Sequence, residues 1–293
     1  MNQTTSGWIN GFLGVLIFSG SLPATRLAVM DFDPLFLTVC RAAIAGLLAG
    51  VLLLIFREQR PVRSDIVPLL LVALCVVVGF PLLTALALQY VTSAHAIIYI
   101  GLLPLSTAIF GVLRGGERPR PTFWILSAAG SSLVAGFALA QGATSSPVGD
   151  ALMLASIIVC GYGYAEGARL SRRLGGWQVI SWALVLSLPV MSLLSFCYMP
   201  VSWTGISGSA LSGSALWSLT YVSLFSMLIG FVFWYRGLAQ GGIAAVGQLQ
   251  LLQPFFGLLL SALVLHESIG WPIFIVNIGV VLCVAIARRF ASK

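Results

Sequence analysis

Apolar runs of roughly twenty residues alternate with short polar gaps along the whole chain, and that alternation predicts membrane-spanning helices. The runs lie at Trp8–Val29, Pro34–Phe56, Ile66–Tyr90, Ser93–Leu113, Thr122–Ala140, Asp150–Ala168, Trp177–Met199, Ser214–Tyr235, Ile243–Leu265 and Trp271–Ala287. Backbone groups in lipid must be satisfied within their own segment, so each run is expected to be a helix. The in-out alternation of a transmembrane β-barrel is absent from them. The expected fold is an all-α integral membrane protein with ten transmembrane helices.

The charged residues give the runs a direction. Basic side chains fill every second gap: Arg57, Arg60 and Arg63; Arg114, Arg118 and Arg120; Arg169, Arg172 and Arg173; Arg236; and, in the tail, Arg288, Arg289 and Lys293. Only Arg26 and Arg41 fall near or inside a run, and the opposite gaps hold no Lys or Arg. The positive-inside rule then places both termini in the cytoplasm. A hydrophobic content of 59% with 8% charged residues excludes an ordinary soluble domain. The net charge of +7 is explained by orientation, so nucleic acid is not an expected partner. The N-terminal stretch lacks a basic n-region, so the first run is expected to remain as a span. Cys40, Cys75, Cys160, Cys197 and Cys283 all fall inside runs and read as small packing residues, with neither a disulfide framework nor a metal cluster.

The two halves resemble each other, which sets domains at residues 1–143 and 147–293. Leu103-Pro104 is followed by Glu117, and Gln253-Pro254 by Glu267, at one shared spacing. Gly79-Phe80 with Gln89 matches Gly230-Phe231 with Gln240, and Gly20 with Arg26 matches Gly163 with Arg169. Each match alone is weak; their common order points to duplication. Five spans per half is an odd number, so the second copy must enter the membrane from the other face. The expected arrangement is two inverted five-helix repeats around a central site, which suits alternating access. Duplication that only enlarged a bundle is the plainer alternative.

Phe18-Ser-Gly-Ser-Leu-Pro-Ala-Thr-Arg26, Arg41 early in the second span, and the Pro-to-Glu spacing that closes spans four and nine resemble the EamA type of the drug/metabolite transporter superfamily. Nearly the whole chain is covered, with similarity to the bacterial aromatic amino acid exporters within that group. The resemblance implies a bacterial inner-membrane location and efflux of small metabolites through a central cavity. Phe18-Ser19 stands where many members carry Trp-Gly.

Polar groups at membrane depth are costly and each needs a reason. His95 and Tyr99 share one helical face. His95 is a candidate for holding a substrate carboxylate or exchanging a proton; a hydrogen bond within the bundle is the plain reading. Tyr164, in the run Cys160-Gly-Tyr-Gly-Tyr-Ala-Glu166, is a cavity candidate, with Tyr162 on the far side of its helix. Trp234 reads first as part of an aromatic belt and second as the floor of the cavity. Gln248, Gln250 and Gln253 cannot all face lipid, and Pro254 frees a carbonyl one turn earlier. Ser19 completes the candidate substrate set. Glu117 with Arg169, and Glu267 with Arg26, are expected as two symmetry-related ion pairs, either gates at opposite faces or static pairs. Arg41 and Glu166 are the candidate buried charges. An unpaired Arg41 would cost roughly 2.5–3.5 kcal/mol.

The lone lysine is Lys293, which excludes a P-loop, and the two histidines form no zinc-protease motif. The chain is expected to be no enzyme, to need no cofactor or metal, and to have a small-molecule substrate and membrane lipid as partners. A monomer is plausible as the working unit, with the oligomeric state open. The leading reading is export of small amphipathic metabolites, chiefly amino acids with aromatic or large apolar side chains. Cationic multidrug efflux and a facilitative channel are the alternatives.

Overall fold

The computed structural model describes residues 3–28, 31–87, 90, 91, 96, 99–140, 146–204, 213–265 and 272–291; His95, Glu267 and the side chain of Arg26 lie outside the described residues. Among the described residues every regular element is helical. Six helices are long and apolar enough to cross a membrane: Gln3–Thr25, Leu35–Ile55, Arg63–Ala87, Pro147–Leu174, Gly176–Cys197 and Gly213–Gly241. Leu103–Gly115, Pro121–Ala140, Gln253–Leu265 and Pro272–Ala287 follow as further apolar helices. A full count of ten spans is part of the function proposed below.

Helix ends differ from the expected ones where charge is held on a helix. The Pro147–Leu174 helix runs through Arg169, Arg172 and Arg173, which were expected in a gap. Their positive charge sits on its last turns, where the helix dipole favours it, while Asp150 occupies the first turn. The first span is broken at Gly20 into Gln3–Ser19 and Ser21–Ala28. Pro23 explains the break, since it offers no N–H to the Ser19 carbonyl and its ring crowds that oxygen. Tyr221 uses the opening: its hydroxyl donates to the Ile17 carbonyl at 2.8 Å.

Two more irregularities fall at matching positions of the two halves. Ala73–Gly79 and Val222–Ile229 are π-helical, and each returns to α-helix at a Gly-Phe pair, Gly79-Phe80 or Gly230-Phe231. The Phe80 and Gly230 amides donate to the carbonyls five residues back, Cys75 and Phe225. A Cβ on Gly79 would stand 2.7 Å from the Leu74 oxygen, and one on Gly230 2.9 Å from the Phe225 oxygen. Glycine therefore makes room for a wide turn in each half. Such turns concentrate at functional sites.

Packing repeats the same exchange. The Gln3–Ser19 helix lies against Gly230–Gly241 and Gln253–Leu265, while the Pro147–Leu174 helix lies against the Ala73–Ala87 stretch and Leu103–Gly115. Pro34–Ile55 packs on Gly176–Thr204, and Pro121–Ala140 on Pro272–Ala287. Swapping the halves leaves this set of contacts unchanged. Small residues permit the closest crossings. Gly7 backs onto Gly241 and Gly11 onto Gly237, and Gly163 faces Cys75 and Val76. These glycines are thus used inside the chain.

Candidate functional site

At the crossing of the first helix with Gly230–Gly241, five aromatic rings meet. Phe18 sits 4.9 Å from Phe231 and 6.2 Å from Trp234, edge-on in both cases. Tyr164 sits 5.5 Å from Trp234 and 6.0 Å from Phe231, and Phe231 lies 5.5 Å from Tyr235. Trp234 and Tyr235 are 0% exposed, which removes both from the lipid-facing belt that their sequence context suggests. The Tyr235 hydroxyl reaches the Gly163 carbonyl at 3.4 Å. Phe18 and Tyr235 escaped sequence reasoning; the aromatic departure at position 18 was the available signal for Phe18.

A buried amide, Gln250, joins the cluster. The expected helix from Ile243 is divided into Ile243–Gly247, a 3-10 stretch Gln248–Leu252, and Gln253–Leu265. Pro254 near the start of the last piece supplies the cause, since it cannot donate to Gln250. The tight turn brings both Gln248 and Gln250 inside, each 1% exposed, although α-helical geometry would send them to different surfaces. Gln250 lies toward the Tyr164 hydroxyl, which is also beside Cys160. The Gln250 amide has the Tyr164 hydroxyl as its polar neighbour, while Gln248 and the Trp234 Nε1 have no hydrogen-bond partner among the described residues. Leaving a buried polar group unpaired costs on the order of 1–3 kcal/mol. The Gln250 amide and the buried Trp234 indole thus set polar groups among the five rings.

The other candidates lie apart. Ser19 is buried, but its hydroxyl donates to the Val15 carbonyl at 2.7 Å. Gln253 is half-buried. Tyr99 bridges two clusters, packing on the main core and on Ala87, Val91 and Met153, beside the Asp150 carboxylate. The Arg41 Nε is buried without a hydrogen-bond partner.

At the basic end three carboxylates are paired. Glu166 is 0% exposed and accepts from Arg114 Nε at 3.0 Å and from Arg169 Nη2 at 2.5 Å. Arg114 also lies over the Tyr162 ring, 5.7 Å from its centroid. Glu117 accepts from the Ile243 amide at 2.5 Å, the Ala244 amide at 2.7 Å and Arg172 at 3.2 Å. Asp65 is buried against Arg173. The expected Glu117–Arg169 pair is therefore replaced by two others. Arg169 lies one turn from Glu166 on its own helix. Glu117 is drawn to the N-terminus of the Ile243–Gly247 helix, whose free amides and dipole attract a carboxylate. Gly116 with φ 70° and Gly242 with φ 92° make the turns that bring the two together. All three carboxylates thus join the first half to the second.

Comparison with known proteins fixes the family. The EamA-like transporter family model matches residues 5–137 and again residues 147–289. The chain belongs to the EamA-like transporter family. It is therefore a transporter-family membrane protein of the drug/metabolite transporter superfamily, with two family repeats. The uncharacterized transporter YdeK of Bacillus subtilis (strain 168) is 77% identical over 292 residues, covering 100% of both chains. An uncharacterized transporter of Archaeoglobus fulgidus is 25% identical over 283 residues, covering 93% of both. A solved crystal structure shares the fold with a TM-score of 0.79 at 20% identity, over 98% of each chain. The matched transporters carry no substrate in their names, so the likeness to aromatic amino acid exporters belongs to the proposal that follows.

Proposed function

We propose that the protein is a secondary transporter that exports small amphipathic metabolites, chiefly aromatic and large apolar amino acids, across the bacterial inner membrane. Two inverted repeats of five spans alternate access to a central site, with both termini in the cytoplasm. The observation that carries this reading is the aromatic–amide cluster. Tyr164, Phe231, Trp234 and Phe18 offer ring faces and edges to an apolar body, while Gln250 and the Trp234 indole offer polar groups to its head. Neutral partners of this kind suit a ligand of no net charge.

The exchange of helix contacts between halves and the matched π turns support alternating access, since a two-fold related bundle has two equivalent closed faces. On this reading Glu117, Glu166 and Asp65 with their arginines close the basic face. Cationic multidrug efflux finds less support, because the Glu166 carboxylate is already held by two guanidiniums.

Counterflow decides the matter. Purified protein in liposomes preloaded with unlabelled phenylalanine, tryptophan or leucine should speed uptake of the same labelled amino acid, and Gln250→Ala should abolish the effect. Absence of counterflow for every common amino acid would overturn the substrate class, and equal flux without counterflow would point to a channel.

A further inference from the structure

We infer that a cleft at the basic end binds a phosphate ester anion, the chemistry shared by an acidic lipid headgroup and a soluble organic phosphate. The cleft has a volume of about 430 Å³, and it lies between the start of the first helix, the 116–118 turn, the 241–245 turn and the last described residues of the chain. That volume suits a small ligand or a headgroup. Arg118 and Arg288 line it from opposite elements, with Thr4 and Trp8 beside them. The Arg288 guanidinium rests 4.6 Å above the Trp8 ring, which holds it in place before any ligand arrives. The Arg120 amide donates to the Phe290 carbonyl at 2.9 Å, fixing the turn that carries Arg118 to the segment that carries Arg288.

Charge decides what the cleft accepts. Among the described residues, no carboxylate pairs with Arg118, Arg120, Arg288 or Arg289. Glu117 also lines the cleft, but both its oxygens are taken by the Ile243 and Ala244 amides and by Arg172. The unspent charge is positive, and two guanidiniums lining one cleft match the oxygens of a phosphate. An indole beside basic residues is also the composition of a membrane–water boundary, where acidic headgroups are concentrated.

The test is native mass spectrometry of the full chain released from detergent with phosphatidylglycerol or phosphatidylcholine. Phosphatidylglycerol should be retained selectively, and Arg118→Gln with Arg288→Gln should weaken its binding roughly thirtyfold, each arginine near an anionic group contributing about a factor of five. The control pair Arg57→Gln with Arg60→Gln, exposed and outside the cleft, should leave selectivity unchanged. Glycerol phosphate added to the wild type separates the sources: displacement of the lipid admits a soluble ester, and retention assigns the site to lipid. Equal retention of the two lipids, an unchanged double variant, or an equal loss in the control pair would overturn the site.

Discussion

The basic end and the centre of the bundle meet the same physical problem with opposite outcomes. Each holds polar side chains away from water. At the basic end Asp65, Glu117 and Glu166 all have guanidinium partners, and Glu117 adds two backbone amides. In the aromatic cluster the Trp234 indole is 0% exposed and has no hydrogen-bond partner among the described residues, and Gln250, 1% exposed, has only the Tyr164 hydroxyl beside it. A satisfied network closes a face; an unsatisfied one leaves binding capacity in reserve. The difference separates residues that hold the protein together from residues that its folding alone does not explain.

The largest way to break this comparison is Glu166→Ala. It removes two charged hydrogen bonds, but Arg114 and Arg169 are 40% and 44% exposed and water relieves part of the loss, which leaves a cost of about 2–3 kcal/mol. Thermal unfolding in detergent should show a large drop or no folded protein at all. An unchanged midpoint would mean that the network contributes nothing to closure.

Glu117→Gln should act less strongly. The amide keeps one acceptor for the Ile243–Ala244 turn but loses the charge that attracts Arg172 and the helix end, a change of about 1–2 kcal/mol. Cysteines placed behind the turn should become more accessible to reagent from the basic face, and unaltered labelling would show that Glu117 does not hold that face.

Gln250→Leu sharpens the contrast in the other direction. Replacing a buried amide, whose polar neighbour is the Tyr164 hydroxyl, by an apolar side chain of similar volume should change stability by under about 1 kcal/mol, while counterflow falls. Stability and transport falling together would place Gln250 among the structural groups. The smallest effect is expected for Tyr235→Phe. It removes one hydrogen bond of 3.4 Å, worth under about 1 kcal/mol, from a ring that keeps its packing.

Much of the architecture could be read from the chain, because lipid permits few solutions. Apolar run length and the placing of basic residues gave helices and their grouping, and the repeated Gly-Phe and Pro-to-Glu spacings pointed to two related halves. The site was legible in part. Tyr164, Gln248 and Gln250 stood out as polar groups with no reason to face lipid. Trp234 looked like a belt residue, because its neighbour Arg236 lies near the basic face and sequence distance from a charge says little about which side of a helix is covered. The Glu117 partner was missed for a related reason: a helix N-terminus attracts a carboxylate as an arginine does, and only the fold shows which is nearer.

The sequence by itself determined that this chain is a bundle of apolar helices with one basic end and a doubled pattern, because those properties follow from one-dimensional periodicity and charge. Tertiary structure alone decided which guanidinium each carboxylate meets, and that both glutamines of the 3-10 turn before Pro254 are buried. Those outcomes depend on contacts between helices far apart in the chain and on a local change of pitch, and neither is encoded in the spacing of residues along a single span.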